Sequence, residues 1–486
     1  MDSARTPQFH PGRSQTVLST LSQSLSFHAS PQSFLSAPSS SADNNTTTHP
    51  TTIPNLVRAK ILNRDVTVIS SYQHCRQILH ATKGDATPAT SLVAARDGGP
   101  VPPNTFTVAP AYHELMADFF PAPNLLLLDA PQHQSARLRW EAQMADVAPQ
   151  IPSLVRDCVR RHMAAWADGG TVDLYEDMKD LIWEILFSVF LSLSPSSGDK
   201  YRTFVSLQET LLRGQFSLFP LAIRTPIWRS ARSKGLHARE KLVALLRDEL
   251  ASPTSGCPFA HGGGDRDDAD KANNTLLFTS SIANKALSSL LTASLLNVFL
   301  FPHCQPSLAA QLRSQGPGQC DSLLRSVLRE TERLSPPVIG VMRRVEHDIR
   351  LSEGGHMDSP ESILVPAGWD VWLYFVGASR DGTVYEHANR LIPERYLMHP
   401  ELGNGFAFGA GEKECLGKET ARTMVETVVS VMLDEGWELD GSIDQPGIRG
   451  WLGWDDEVSV EMMARDLKQL PTQRPREPIR VQTRRP

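Results

Sequence analysis

The chain of 486 residues is 41% hydrophobic and 21% charged, the profile of an ordinary globular protein with enough apolar surface for a large core. Its 48 basic and 54 acidic residues leave a net charge of −6, which gives no electrostatic reason to expect nucleic acid as a partner. Six cysteines are scattered without paired spacing, which argues against a disulfide framework and for a reducing compartment. Length alone would allow about three domains of average size. No run reaches the ~18 consecutive apolar residues that a membrane-spanning helix needs.

In chain order, residues 1–52 are rich in Ser, Thr, Asn and Pro, too polar to fold on their own, and read as a disordered tail. Arg5, Arg13 and the scarcity of acids keep an organelle transit peptide open, while the lack of an apolar stretch argues against secretion. "LVRAKILNRDVTVISS" reads as two strands about a turn at Asn63-Arg64-Asp65. Ser70 or Ser71 then caps a short helix, "SYQHCRQIL". From about 150 to 335 helical periodicity dominates. "LIWEILFSVFLSLSP" carries Glu184 and ends in proline, which predicts a buried core helix. Phe216–Trp228 is an apolar loop, Pro253–Asn274 an aperiodic, solvated one. A long apolar helix over Thr275–Phe301 follows, stopped by Pro302.

After Pro336-Pro337 the chain turns to short strands, then to a glycine-rich segment and a last long helix. No linker divides residues 53–470, which read as a single domain, mainly α with small β-sheets. The basic residues 471–486 read as a flexible tail.

The glycine-rich segment, "FAFGAGEKECLGKET", places Cys415 between glycine turns and a helix start. Glycine lets the backbone approach a ligand or take positive φ. Unpaired N–H groups at a helix start favour a thiolate. The bland reading is a buried thiol; the sharper one is a thiolate beneath a flat, metal-bearing ligand. Upstream, Glu330 and Arg333 stand three apart on one helix face, an arrangement more often met as a surface ion pair. His133 and Arg137 stand four apart and share a face that would suit two carboxylates.

In series these segments resemble the cytochrome P450 superfamily. Phe408-x-x-Gly411-x-Lys413-x-Cys415-x-Gly417 is similar to its haem-binding signature, "ETER" (Glu330–Arg333) to its Glu-x-x-Arg pair, and "IPERY" to the segment whose arginine, here Arg395, completes a network with that pair. "DAPQHQSARLR" is similar to its His-x-x-x-Arg helix. The resemblance covers roughly residues 55–470. It implies a P450-like fold and a haem b with Cys415 as axial iron ligand, Phe408 and Gly409 beside the sulfur. His133, Arg137, Arg344 and Lys413 would be the partners of the haem propionates, Lys413 replacing a more common arginine or histidine. Glu330, Arg333 and Arg395 would hold the cysteine loop without touching substrate.

The implied activity is monooxygenation: one oxygen atom from O2 enters a small apolar organic substrate, in secondary metabolism. Electrons would come from a separate NADPH-dependent reductase or ferredoxin. A monomer in the cytoplasm is expected, with peripheral membrane contact through Phe216–Trp228 as the alternative to burial of that loop. The chain departs from the pattern in one place. Most oxygen-activating members carry an acid and a threonine in the long helix over the haem, whereas no Asp or Glu lies between Thr275 and Pro302. Ser288 or Ser289 could supply a hydroxyl and Asn284 could hold a water, or the serines could satisfy helix carbonyls instead. Isomerisation, dehydration or use of peroxide therefore stands as the rival reaction, with a haem sensor a more distant reading.

Overall fold

Two β-branched stretches pair as the expected antiparallel strands, but Arg64 and Asp65, read as turn residues, already belong to the second strand. Strands β1 (Leu56–Ile61) and β2 (Arg64–Ile69) run antiparallel with Ile61 opposite Arg64. The computed structural model describes residues 30–32, 56–61, 64–81, 85–166, 170–217, 221–225, 227–252, 256–260, 265–315, 319–352 and 362–485. Asn63 and all but three residues of the N-terminal tail lie outside these.

The elements that matter below follow in chain order: α1 (Tyr72–His80), β3 (Phe106–Val108), α2 (Gln132–Val147), α3 (Ile151–Met163), β4 (Gly170–Asp173), α4 (Leu174–Leu191), α5 (Asp199–Gln215), α6 (Ala231–Ala251), α7 (Asp265–Phe278), α8 (Ser281–Leu300), α9 (Gln319–Leu334), β5 (Gly340–Val345), β6 (Asp370–Tyr374), α10 (Lys418–Asp434), β7 (Glu438–Asp440) and β8 (Arg480–Arg484). The fold is mainly α with small sheets. Ser71 stands at the start of α1, as expected, but makes no side-chain cap bond.

Where the sequence reads as one domain over 53–470, the chain groups into two compact units. The first comprises Met1–Ala109, Ala293–Cys415 and Ser442–Glu477; the second comprises Pro110–Thr292, Leu416–Gly441 and Pro478–Pro486. Each is assembled from three separate stretches, so no composition shift could mark the boundary.

The first unit is built on a five-stranded sheet, β1-β2-β6-β5-β3. β6 is parallel to β2 and antiparallel to β5, and all five of its residues are buried, as befits a strand covered on both faces. Val371 and Leu373 join a cluster with Ile69, Tyr72 and Phe406, while Trp372 and Tyr374 point to the opposite cluster with Val66 and Val68. The second unit carries most of the helices and a three-stranded sheet, β7-β8-β4.

Three readings need correction. Pro31-Gln32, in the supposed tail, is a helical turn whose Gln32 is fully buried and exchanges amide hydrogen bonds with Gln469 (2.9 and 2.8 Å). Residues 480–484 are not a flexible tail. Val481 and Thr483 are buried between β4 and β7, and alternating basic and polar residues on the outer face hide that pattern in the sequence. The Pro253–Asn274 loop gives way to α7 from Asp265, because its polar residues are used inside: Trp140 Nε1 donates to Asp270 (3.2 Å), and Leu125 N–H donates to Asn274 (3.0 Å). By length and composition the stretch Ala269–Leu300 could span a membrane, but 72% of its most apolar part is buried in the protein, as for a core helix.

α4 is the buried core helix the sequence predicts. In the apolar loop Phe216 is half-buried, while Leu221 (57%), Ile227 (97%) and Trp228 (55%) are exposed.

Candidate functional site

The cysteine loop starts from a packed aromatic anchor. Phe406 is buried, stacks on Phe375 (5.3 Å between centroids) and leans on Tyr72 (4.9 Å). Beyond it the backbone turns through Gly409 and Gly411, both at φ +70°, a conformation that side chains rarely adopt. At Gly411 a Cβ would also meet the Leu79 carbonyl at 2.3 Å, so only glycine fits. A 3-10 turn over Gly411–Lys413 then brings the Cys415 N–H to the Phe408 carbonyl (2.8 Å). α10 begins at Lys418, so Cys415 precedes the helix by one turn instead of opening it.

Exposure singles out Cys415. No disulfide forms among the described cysteines, and Cys75, Cys158 and Cys257 are buried while Cys415 is exposed. Burial pushes the thiols of Cys75 and Cys257 up and that of Cys158 up to about 11, which keeps them protonated and inert. Nothing lies within 4 Å of a Cβ placed on Gly409, so the backbone beside the cysteine is open to a ligand.

The acid and the two arginines meet as expected. Arg333 donates from Nε and Nη2 to the two oxygens of Glu330 (both 2.8 Å), and Arg395 Nε donates to Glu330 Oε1 (2.8 Å). All three side chains are at most 3% exposed. The guanidinium edges left over are satisfied by carbonyls: Ser379 (2.8 Å) and Ala388 (2.6 Å) for Arg333, Glu386 (2.7 Å) for Arg395. Burial alone would raise the Glu330 carboxyl, yet the two guanidiniums hold it below the usual carboxylate range. The network abuts the cysteine loop. A Cβ on Gly405 would meet the Arg333 Cα at 2.8 Å, and Phe406 N–H donates to Ser379 Oγ (3.3 Å). Ser379 had no sequence signal, since nothing local marks it.

Arg344 is differently placed from the sequence expectation. Its Nε lies 2.9 Å from Asp370 Oδ1, an ion pair across β5 and β6 without hydrogen-bond alignment, and its Nη1 donates to the Gly368 carbonyl. Its neighbour Arg343, 8% exposed, lies on the other face of β5 with Val341 and Val345, which pack in the cluster that holds Phe406. Period-two alternation along "GVMRRV" could have separated the two arginines.

On α2, His133 is buried, and Arg137 Nε donates to Glu141 Oε1 (2.6 Å) one turn on. On α8, Ser288, Ser289 and Asn284 are fully buried. Ser288 Oγ donates to the Asn284 carbonyl (2.7 Å) and Thr292 Oγ1 to the Ser288 carbonyl (2.7 Å), the local satisfaction weighed above against a relay. Asn284 Nδ2 donates to the Lys179 carbonyl (2.9 Å).

Comparison with known proteins agrees with this geometry. The family described as Cytochrome P450 matches residues 322–435, which take in the Glu330 network and the cysteine loop. Abscisic acid 8'-hydroxylase 2 of Oryza sativa subsp. indica is 22% identical over 67% of this chain and 70% of its own length. Cytochrome P450 85A2 of Arabidopsis thaliana is 24% identical over 68% and 73%. In fold the chain is similar to retinoic acid-bound cyanobacterial CYP120A1, with a TM-score of 0.62 at 19% identity over 89% of this chain and 92% of that one. A six-coordinated cytochrome P450 from Thermus thermophilus gives a TM-score of 0.61 at 16% identity over 88% and 95%. In its matched segment, its relatives and its fold the chain is similar to the cytochrome P450 superfamily, which supports an oxidoreductase of the monooxygenase type.

Proposed function

We propose that the protein binds haem b through the Cys415 thiolate and hydroxylates a small apolar organic molecule in secondary metabolism. The observation that carries the ligand assignment is the anchoring of an exposed cysteine on a glycine loop that abuts a buried ionic network. Bound there, haem supplies the activation of dioxygen and the transfer of one oxygen atom. The chain's own part is to hold it. Phe408 and Gly409 flank the sulfur-bearing backbone, and Lys413 offers a point charge to a carboxylate. Arg343, on the strand face that packs towards Phe406, replaces Arg344 as the strand arginine of the site. His133 and Arg137 remain propionate partners on the strength of the sequence resemblance. Ser288, whose hydroxyl is tied to its own helix, acts as filler; protons come through water or substrate groups, with Ser289 and Asn284 kept as candidates by the sequence resemblance alone.

A separate electron donor, reductase or ferredoxin, completes the cycle. The exposed Leu221, Ile227 and Trp228 suit peripheral contact with a membrane from the cytoplasmic side. The test is a panel of apolar candidates screened by spectral shift, followed by turnover with a reductase under labelled dioxygen. One labelled atom in the product supports monooxygenation. Product without reductase, or without label, would favour rearrangement or peroxide use, the reading to which the acid-free α8 lends weight.

A further inference from the structure

In the second unit, α3, β4, α4 and the turn Pro195–Ser197 enclose a cleft of about 700 Å³ lined by Arg161, His162, Trp166, Asp177 and Glu184. Two carboxylates meet there, and each uses one oxygen only. Arg161 donates from Nε (2.9 Å) and Nη2 (2.7 Å) to the same Glu184 Oε1. His162 Nε2 lies 3.1 Å from Asp177 Oδ2, and Trp166 Nε1 donates to that same oxygen (3.1 Å). Among the described residues no further donor reaches Glu184 Oε2 or Asp177 Oδ1, and both side chains line the cleft. Neither oxygen is sealed from solvent, so both can meet a donor that enters the cleft.

Beside them the Trp166 indole is fixed, by its bond to Asp177 and by an edge-on contact with Trp437 (5.3 Å between centroids). Val172, Ala165 and Pro195 add an apolar wall. Unfilled carboxylate oxygens next to a fixed indole are the elements that recognise an ammonium group. A cavity of this size falls in the range of about 300–1,000 Å³ typical of small-molecule sites. A bare metal ion is a poor occupant, because no group of three His, Cys, Asp or Glu side chains among the described residues is placed to hold one. We propose that this cleft is a binding site for an organic cation carrying a small apolar body, separate from the cysteine loop and its chemistry.

The charge of the cleft depends on His162. Burial alone would lower its basicity, but Asp177, Asp180 and Glu184 on α4 raise it above the ordinary histidine value, while Arg161 pairs with Glu184. Protonated His162 compensates Asp177; deprotonated, it leaves that carboxylate available. Affinity for a cation should therefore rise with pH through the titration of His162.

The probe is phenyltrimethylammonium, which has no lone pair with which to ligate iron, titrated into the haem-loaded full chain by calorimetry while the Soret band is recorded. We expect saturable binding with an unchanged Soret band, and none with neutral benzyl alcohol. Asp177→Asn should weaken it at least about tenfold, through loss of one charge contact. Thr171→Arg, on the exposed rim of β4, should do the same without disturbing the buried pairs, which guards against a folding defect in the first variant. Equal binding of the neutral probe, affinity that falls as pH rises, or binding that persists unchanged in both variants would overturn the proposal. A failure of the haem assignment would appear separately, in the Soret band itself.

Discussion

Two buried polar regions of this protein solve the same problem by opposite means. Around Glu330, one carboxylate is shared by two guanidiniums from two distant stretches of sequence, and backbone carbonyls take up the remaining donors. Along α8, Ser288 and Thr292 each donate to a carbonyl four residues back and need no partner from elsewhere. The first arrangement is long-range and all-or-none, since removing one member strands the others. The second is local, and its loss leaves only an ordinary helix carbonyl. The molecule should therefore be brittle at the ionic network and tolerant on α8.

The largest expected effect is at the network. Glu330→Ala leaves two buried guanidiniums without their anion, which typically costs ~3–5 kcal/mol. Haem-poor, aggregating protein should result, and a soluble, haem-replete variant with altered selectivity would break the comparison. The same carboxylate sets a pH dependence. Its folded pKa lies below the ordinary value of about 4, so its contribution is present above that value and is lost as pH falls through the depressed one. Acid unfolding followed by circular dichroism should begin at higher pH in a Glu330→Gln variant than in wild type only if other groups carry the transition. If Glu330 dominates it, the variant should be destabilised at neutral pH and show a flatter acid limb.

A smaller effect tests the strand arginines. Arg344→Ala leaves buried Asp370 without its cation, at a cost of about 1–3 kcal/mol in stability, with haem content retained. Arg343→Ala should instead lower haem retention more than it lowers the unfolding midpoint. The reverse pattern, measured by haem titration and denaturant unfolding, would return the role to Arg344. A comparable loss is expected at the C-terminal strand: Val481→Ala, at a residue 1% exposed in β8, should cost about 1–2 kcal/mol, and an unchanged midpoint would restore the idea of a flexible tail. The smallest effect is on α8. Ser288→Ala should change stability by less than about 1 kcal/mol and leave the ligand spectrum intact. A marked rise in peroxide release in that variant would show that the hydroxyl does more than serve its own helix.

The same contrast explains what could be read from the sequence. Motifs whose spacing is local were legible: the glycine positions around Cys415, the three-residue step from Glu330 to Arg333, and the core helix over Leu174–Leu191. Arg395 could be joined to the pair only through family resemblance, because the contact spans 65 residues of sequence. Arg343 was passed over for its neighbour because the strand register that separates their faces depends on pairing with β6. β8 was hidden because alternate positions are occupied by arginine and glutamine, and its buried face exists only once β4 and β7 flank it. The start of α7 was missed because Asp270 and Asn274 look solvent-seeking until Trp140 and Leu125 meet them.

The central claim is that Cys415 is the thiolate ligand of a haem, and the reduced carbonyl complex tests it most directly. Wild type should give the strongly red-shifted Soret band of a thiolate-ligated haem, and Cys415→Ala should lose that band while the buried Cys75, Cys158 and Cys257 remain in place. A red-shifted band that survives the substitution, or that never appears in the wild-type protein, would contradict the account.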